Sequence, residues 1–158
     1  MTFDISIMPA EEVDLDAAGQ LIYDSIHGLA HTHYSDEQIK AWAPEPYAGD
    51  RAKQRFADQL FFIASDPEGM AALMTLTQEH YLDFAYAHPR TKGRGAASQT
   101  YATLETFAEA QGVKSITSDV SFVARPFFEK RGYKVLKRQF PIANGVELTN
   151  FNVRKDLI

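Results

Sequence analysis

The 158 residues are one domain's worth of chain, 45% hydrophobic and 23% charged, with no cysteine, which argues against disorder, disulfides, thiolate metal sites and a cysteine nucleophile together. Net charge is −5, with 4 basic and 15 acidic side chains in residues 1–88 against 12 basic and 6 acidic in 89–158, a balance that disfavours nucleic-acid binding. No apolar run approaches the ~18 residues of a membrane span, and the first residues, with Asp4 and no basic flank, do not read as a signal peptide, so the expected compartment is the cytoplasm.

Taken in order, Phe3–Met8 alternates as a strand would. From Asp14, a fitting N-cap, the residues Leu15, Ala18, Ile22, Ile26 and Leu29 recur at helical spacing, with Gly28 as an end signal. Ser35-Asp36-Glu37-Gln38 is a capping-box pattern that opens a short helix through Trp42, closed by Pro44 and Pro46. Asp50–Gln59 reads as a further short helix and Leu60–Ser65 as an apolar strand. Asp66-Pro67-Glu68-Gly69 is a turn between that strand and Met70–Gln78, and Tyr81–Ala87 is the next strand, closed by Pro89. A helix fits Ala97–Gln111, with Tyr101, Leu104, Phe107 and Ala108 as its buried stripe and Gly112 as its stop. Ser115–Val120 is a strand and Ala124–Arg131 a short helix ended by Gly132. Tyr133–Ile142 and Val146–Arg154 flank Asn144-Gly145, a strong hairpin signal. This order predicts an α/β or α+β sandwich, a mixed sheet with helices on its faces.

The segment from His88 to Ala97 joins a strand to a helix and carries Lys92, Gly93, Arg94 and Gly95. Glycines there permit positive φ and close approach of a ligand. The following helix offers unpaired N–H groups and a partial positive charge. Together these suit an anion such as a diphosphate; the same features also suit a plain helix start with solvated basic side chains. The Walker and dinucleotide glycine patterns are both absent, since Gly95 is followed by Ala96-Ala97 and position 98 is Ser98.

Lys92-Gly93-Arg94-Gly95-Ala96-Ala97 after His88-Pro89 resembles motif A of the GNAT acetyltransferases, with Lys92 departing from the usual Gln or Arg. Ala124–Tyr133 resembles the same family's motif B. His33-Tyr34-Ser35, Gln38-Ile39, Ala41-Trp42-Ala43 and Leu148-Thr149-Asn150-Phe151 are similar to its YafP-like branch. The resemblance covers nearly the whole chain, making residues 1–158 a single domain. It implies a mixed, mostly antiparallel sheet splayed between strands 4 and 5, with acetyl-CoA in the cleft. The diphosphate would lie on backbone N–H groups of Lys92, Gly93, Arg94, Gly95, Ala96, Ala97 and Ser98, and the pantetheine arm would pair with Ala85, Tyr86 and Ala87. Ser121 stands where a cofactor-contacting Asn is common and Phe128 where many members place a Tyr acid. Tyr133 or Ser121 could supply that proton, or the thiolate leaves unassisted.

Strict alternation puts Leu82, Phe84 and Tyr86 on one face of their strand and Tyr81, Asp83, Ala85 and Ala87 on the other. Asp83 is therefore the first candidate base, raised by burial, unless it pairs with a nearby Arg or Lys. Glu79 and His80 could act through water or serve only the turn. His33, Tyr34 and Trp42 are expected to wall the acceptor side, where a cation could rest on an aromatic ring. His31 and His33 make too weak a pattern for a metal, and none is expected. The implied activity is acetyl transfer from acetyl-CoA to the amino group of a small molecule or peptide, by direct attack. A non-catalytic acyl-CoA-binding sensor is the alternative. Neither a nucleic acid nor a membrane is expected as partner, and the family resemblance allows a homodimer.

Overall fold

The computed structural model describes residues 2–158. Its strands are β1 (Asp4–Pro9), β2 (Leu60–Asp66), β3 (Gly69–Leu76), β4 (Tyr81–Ala87), β5 (Ser115–Ser121), β6 (Lys134–Gln139), β7 (Ile142–Ala143), β8 (Val146–Glu147) and β9 (Asn150–Asp156). Its helices are α1 (Leu15–Leu29), α2 (Asp36–Trp42), α3 (Gly49–Phe56), α4 (Ala96–Ala110) and α5 (Arg125–Lys130). Capping chemistry fixes two of the starts. Asp14 accepts from the Ala17 N–H at 3.0 Å, and Ser35 and Gln38 form a reciprocal capping box.

Seven strands form one sheet in the order β1-β2-β3-β4-β5-β9-β6. Every neighbouring pair is antiparallel except β4 and β5. Apolar stripes cover both faces. Ile22 and Ile26 of α1, Ile39 of α2 and Phe56 of α3 pack with Phe61, Leu73 and Phe84 on one side. Tyr101, Leu104 and Ala108 of α4 and Phe128 of α5 pack with Phe62, Met74 and Leu82 on the other. The expected splay between strands 4 and 5 is present. Parallel pairing is confined to Tyr81 with Thr117 and Leu82 with Ser118. The Ser118 hydroxyl donates to the Leu82 carbonyl at 2.7 Å where the pairing stops, and beyond that point the strands fork. Among the described residues no helix is long and apolar enough to cross a membrane.

Three expectations need correction. The alternation of β4 is broken: Leu76 is level with Leu82 and Met74 with Ala85, so Asp83 and Phe84 together oppose Thr75 in a β-bulge. The Thr75 hydroxyl takes up the displaced Phe84 N–H at 3.1 Å. In consequence Leu82 packs on the α4 side, Phe84 and Tyr86 pack towards α1, and Ala85 returns to the α4 side. Asp83 therefore does not share a face with Ala85 and Ala87. Second, Asn144-Gly145 does turn a hairpin, but it joins only β7 and β8, a separate pair. This small ribbon is tied to α2, through Asn144 Nδ2 to the Ala41 carbonyl at 2.7 Å and Gln38 Nε2 to the Glu147 carbonyl at 3.1 Å. Third, α1 runs past Gly28 to Leu29. Gly28 is small because Pro89 lies against it, where a Cβ would come within 2.5 Å of the proline Cγ.

Candidate active site

The fork opens a groove of three connected hollows that meet at Trp42 and Tyr86. The hollow nearer the glycine loop is apolar, with Ala85, Ala87, Ala97, Met74, Phe127 and Phe128 among its lining. A second lies at the fork itself, shares Ser121 with the first and adds Asp83, Asp119, Thr149 and Asn150. The third opens towards α3 and is lined by Tyr47, Arg51, Arg55, Tyr81, Asp83 and Asp119 among others. From Asp83 onwards β4 has no strand on its β5 side, so that edge is free to pair with an extended guest.

At the apolar end the chain passes through Pro89–Thr91 into the loop and α4. Gly93 and Gly95 take φ of +77° and +84°, the left-handed region that favours glycine. The amides of Lys92 and Arg94 are spent on the carbonyls of Pro89 and Thr91 at 3.2 and 3.0 Å. The amides of Gly93, Gly95, Ala96, Ala97 and Ser98 meet no acceptor among the described residues. Five of the seven amides expected to hold an anion are thus free to do so, and the 15-residue α4 adds its dipole. Arg94 turns towards Asp66 at 3.5 Å and over Phe3. Arg90 grips Asp66 with both nitrogens, at 2.8 and 3.0 Å, and holds that carboxyl below the usual range. Ser98 accepts from Arg131 at 2.8 Å. Free donors at the head of an apolar trough fit a group with a phosphorylated head and an extended neutral arm.

At the fork, the Asp83 carboxylate is held by Arg55 at 2.6 and 3.1 Å and by Gln59 Nε2 at 2.8 Å. The sequence left open whether Asp83 is a buried base or a paired strand-end carboxylate; the geometry is that of the pair, and it raises the Arg55 guanidinium further above its ordinary range. Glu79 and His80 are exposed in the β3–β4 turn, and His80 lines a separate hollow with Leu60 and Phe107. The structure does not bring them to the groove. Ser121 does reach it, with its hydroxyl accepting from the Ala124 N–H at 3.1 Å. Phe128 is buried and forms a wall. Tyr133 lies behind Phe128 with its hydroxyl bonded to Tyr101 at 2.9 Å, and it lines none of the three hollows.

Of the expected aromatic wall, Trp42 lines all three hollows. Tyr34 presents its ring to the fork, while its hydroxyl donates to the Thr149 carbonyl at 2.6 Å and accepts from the Phe122 N–H at 3.1 Å. Both hydrogen bonds are structural, tying the end of β5 to the approach to β9, and burial raises the phenol above its ordinary range. His33 is exposed, stacks on Phe122 and does not line the groove. Among the described residues no three His, Cys, Asp or Glu side chains cluster as a metal would require.

Asn150, in a stretch the sequence did single out, lines the fork, whereas Arg55, Tyr81 and Asp119, and Gln59 behind Asp83, were not singled out. Arg55 lies 28 positions from Asp83 on an unremarkable polar helix face. Asp119 occupies the solvent phase of β5, where a charged residue is ordinary.

A family model described as an acetyltransferase (GNAT) domain matches residues 30–155. The chain is similar to the uncharacterized N-acetyltransferase YafP of Escherichia coli strain K12, 33% identical over 128 residues, which are 79% of this chain and 78% of that protein. It also resembles the crystal structure of a GCN5-related N-acetyltransferase ("aminotransferase, class-II") from Rhodopseudomonas palustris. That likeness has a TM-score of 0.89 at 30% identity and covers 99% of this chain and 97% of the other. The PaiA N-acetyltransferase of Thermoplasma acidophilum, crystallised in complex with coenzyme A, shares the fold, with a TM-score of 0.72, 20% identity and 99% of each chain covered.

Proposed function

The chain belongs to the GNAT family of acetyltransferases, and we propose that it transfers acetyl from acetyl-CoA to the amino group of a small molecule or peptide, by direct attack in a ternary complex. The observation that carries this reading is the fork: an open β4 edge that runs from a polar cluster, along an apolar trough, to a row of free amides at a helix start. A thioester has to be held at one end and a diphosphate at the other, and the groove offers each what it needs. The Thermoplasma relative was crystallised with coenzyme A, which agrees with it.

In this assignment residues 1–158 act as one domain. The amides of Gly93 and Gly95–Ser98 hold the diphosphate, with Lys92 adding charge beside them. The backbone of Ala85, Tyr86 and Ala87 pairs with the pantetheine arm, and the small side chains of Ala85 and Ala87 leave room for it. N–H groups on the same edge would polarise the acetyl carbonyl. Ser121 and Phe128 bound the arm from the β5 side. The acceptor enters through the hollows beside Trp42 and Tyr34. Phe128 has no proton to give, and Tyr133 is sealed behind it. A thiol of pKa ~8.5 leaves as thiolate with little acid help, so departure without a protein acid is affordable.

Calorimetry with coenzyme A and thiol release from acetyl-CoA in the presence of a broad panel of amines test the reading together. Coenzyme A binding and amine-dependent thiol release are expected. Absence of any heat with coenzyme A sinks the assignment; binding without release from any amine favours the sensor instead.

A further inference from the structure

Two carboxylates stand level across the fork, on the same side of the sheet. The register of Tyr81 with Thr117 and Leu82 with Ser118 places Asp83 opposite Asp119, and both line the fork and the hollow towards α3. Their surroundings differ. Asp83 is matched by Arg55. The exposed Glu45 of the same hollow is matched by Arg51 at 3.2 Å. Asp119 accepts from the Tyr81 hydroxyl at 2.7 Å, from Gln139 Nε2 at 2.8 Å and from Asn152 Nδ2 at 3.0 Å. All three donors are neutral, and Asp119 forms no ion pair among the described residues. The two arginines and three carboxylates of the hollow therefore leave one uncompensated negative charge, and it sits on Asp119.

Resting on the acetyltransferase reading, we propose that Asp119 anchors the acceptor nitrogen and that the protein selects acceptors whose reacting group is a cationic primary amine. Three oriented hydrogen bonds fix the carboxylate without cancelling its charge, so it is preorganised for a cation. Burial and the neighbouring carboxylate push the Tyr81 phenol well above its ordinary range, which keeps it a permanent donor. Asp83, by contrast, has both oxygens engaged by a guanidinium and an amide and attracts a second cation weakly.

The same charge serves the chemistry. The ammonium loses one proton to solvent, and the neutral nitrogen then forms its bond to the thioester carbonyl carbon. As that bond forms, positive charge returns to the nitrogen, where Asp119 faces it, so the attraction lost on deprotonation is recovered on the way to the adduct. The carbon–sulfur bond then breaks, sulfur leaves with the electron pair, and the nitrogen's second proton ends on that sulfur. Amide and free thiol are the products.

The test separates this assignment from the one beneath it. Coenzyme A is first titrated by calorimetry. n-Butylammonium, with n-butanol as its uncharged control, is then titrated into the coenzyme A-loaded protein and followed by NMR, for wild type, Asp119→Asn and Tyr81→Phe. Wild type is expected to prefer the ammonium by about tenfold, the scale of one charge-assisted hydrogen bond. Asp119→Asn should abolish that preference, and Tyr81→Phe, which leaves the charge in place, should keep most of it. Asp119→Ser repeats the comparison where Asp119→Asn does not fold. A preference that survives loss of the Asp119 charge overturns the assignment of Asp119 alone. Absence of coenzyme A binding overturns the acetyltransferase reading, and this inference with it.

Discussion

The hydroxyl of Tyr101 donates to that of Tyr133 across 2.9 Å, in a pocket of packed rings behind Phe128. The pair links α4 to the start of β6 and belongs to the core. Burial pushes the Tyr101 phenol up to about 12 and also raises Tyr133, Tyr81 and Tyr86. In the unfolded chain the same groups ionise near pH ~10. Below that value both states keep their protons and the stability is complete. Above it the unfolded chain sheds protons that the folded chain retains. Stability therefore falls as pH rises from about 10 through about 12, by ~1.4 kcal/mol per pH unit for each such tyrosine. Denaturant titrations between about pH 8 and about pH 11 should give a plateau followed by a steep loss. Tyr133→Phe should soften the loss and cost about 1 kcal/mol at neutral pH, because the Tyr101 hydroxyl is left without its acceptor. A profile that stays flat through the alkaline range contradicts this.

Gly95 and Gly112 stand at opposite ends of α4, with φ of +84° and +73°. Gly95 precedes the free amides; Gly112 has open space where a Cβ would go. A β-branched residue at either site is strained by about 1–2 kcal/mol. Only at Gly95 would the side chain also block approach to the amides. Gly95→Val and Gly112→Val should therefore lose similar stability in thermal melts. Only Gly95→Val should weaken coenzyme A binding, by about tenfold or more. Equal affinities in the two variants would remove the loop from the binding site.

Arg55 stacks its guanidinium 4.4 Å from the Phe84 ring centre while gripping Asp83. The Asp83 side chain is 13% exposed and that of Arg55 39%, so the carboxylate loses more water than its partner does. Arg55→Met keeps the stem and removes the charge, leaving Asp83 with Gln59 alone. The expected cost is about 1–3 kcal/mol, towards the low end because Arg55 is partly solvated. Arg55→Met with Asp83→Asn should recover part of that loss, which a double-mutant cycle in urea would measure. Additive losses would mean that the pair contributes nothing of its own.

Much of the architecture was legible in the chain because it rests on local signals. Asp14 and the Ser35–Gln38 box mark helix starts by their own side-chain chemistry, and the stripe through Tyr101, Leu104 and Ala108 is a helical period. The glycine loop was legible for the same reason, since positive φ before a helix is written in residue type. What escaped is non-local. The bulge at Asp83–Phe84 is a mismatch in count between β4 and β3, and neither strand carries it alone. The link between Asp83 and α3 depends on how that helix lies over the sheet. Asp119 gains its meaning from Tyr81, Gln139 and Asn152, which come from three other strands.

Gly28 joins the first helix to the glycine loop. Its Cα lies against Pro89, and His88 reaches Asp24 of the same helix at 3.3 Å. Pro89 opens the turn that leads into Gly93. A methyl group at position 28 would come within 2.5 Å of the proline Cγ. The pyrrolidine ring is closed onto the backbone, so the turn itself must move to make room. Alanine also gains about 1 kcal/mol of helix propensity over glycine, while overpacking costs about 1–3 kcal/mol. Gly28→Ala should therefore change the melting temperature modestly and disturb the loop more. The expected result is coenzyme A affinity reduced by about three- to tenfold, roughly 0.7–1.4 kcal/mol. Glu12→Ala, an exposed change away from the groove, is the control and should leave affinity untouched. If Gly28→Ala melts higher and binds coenzyme A as wild type does, Pro89 yields without strain, and α1 has no hold on the loop.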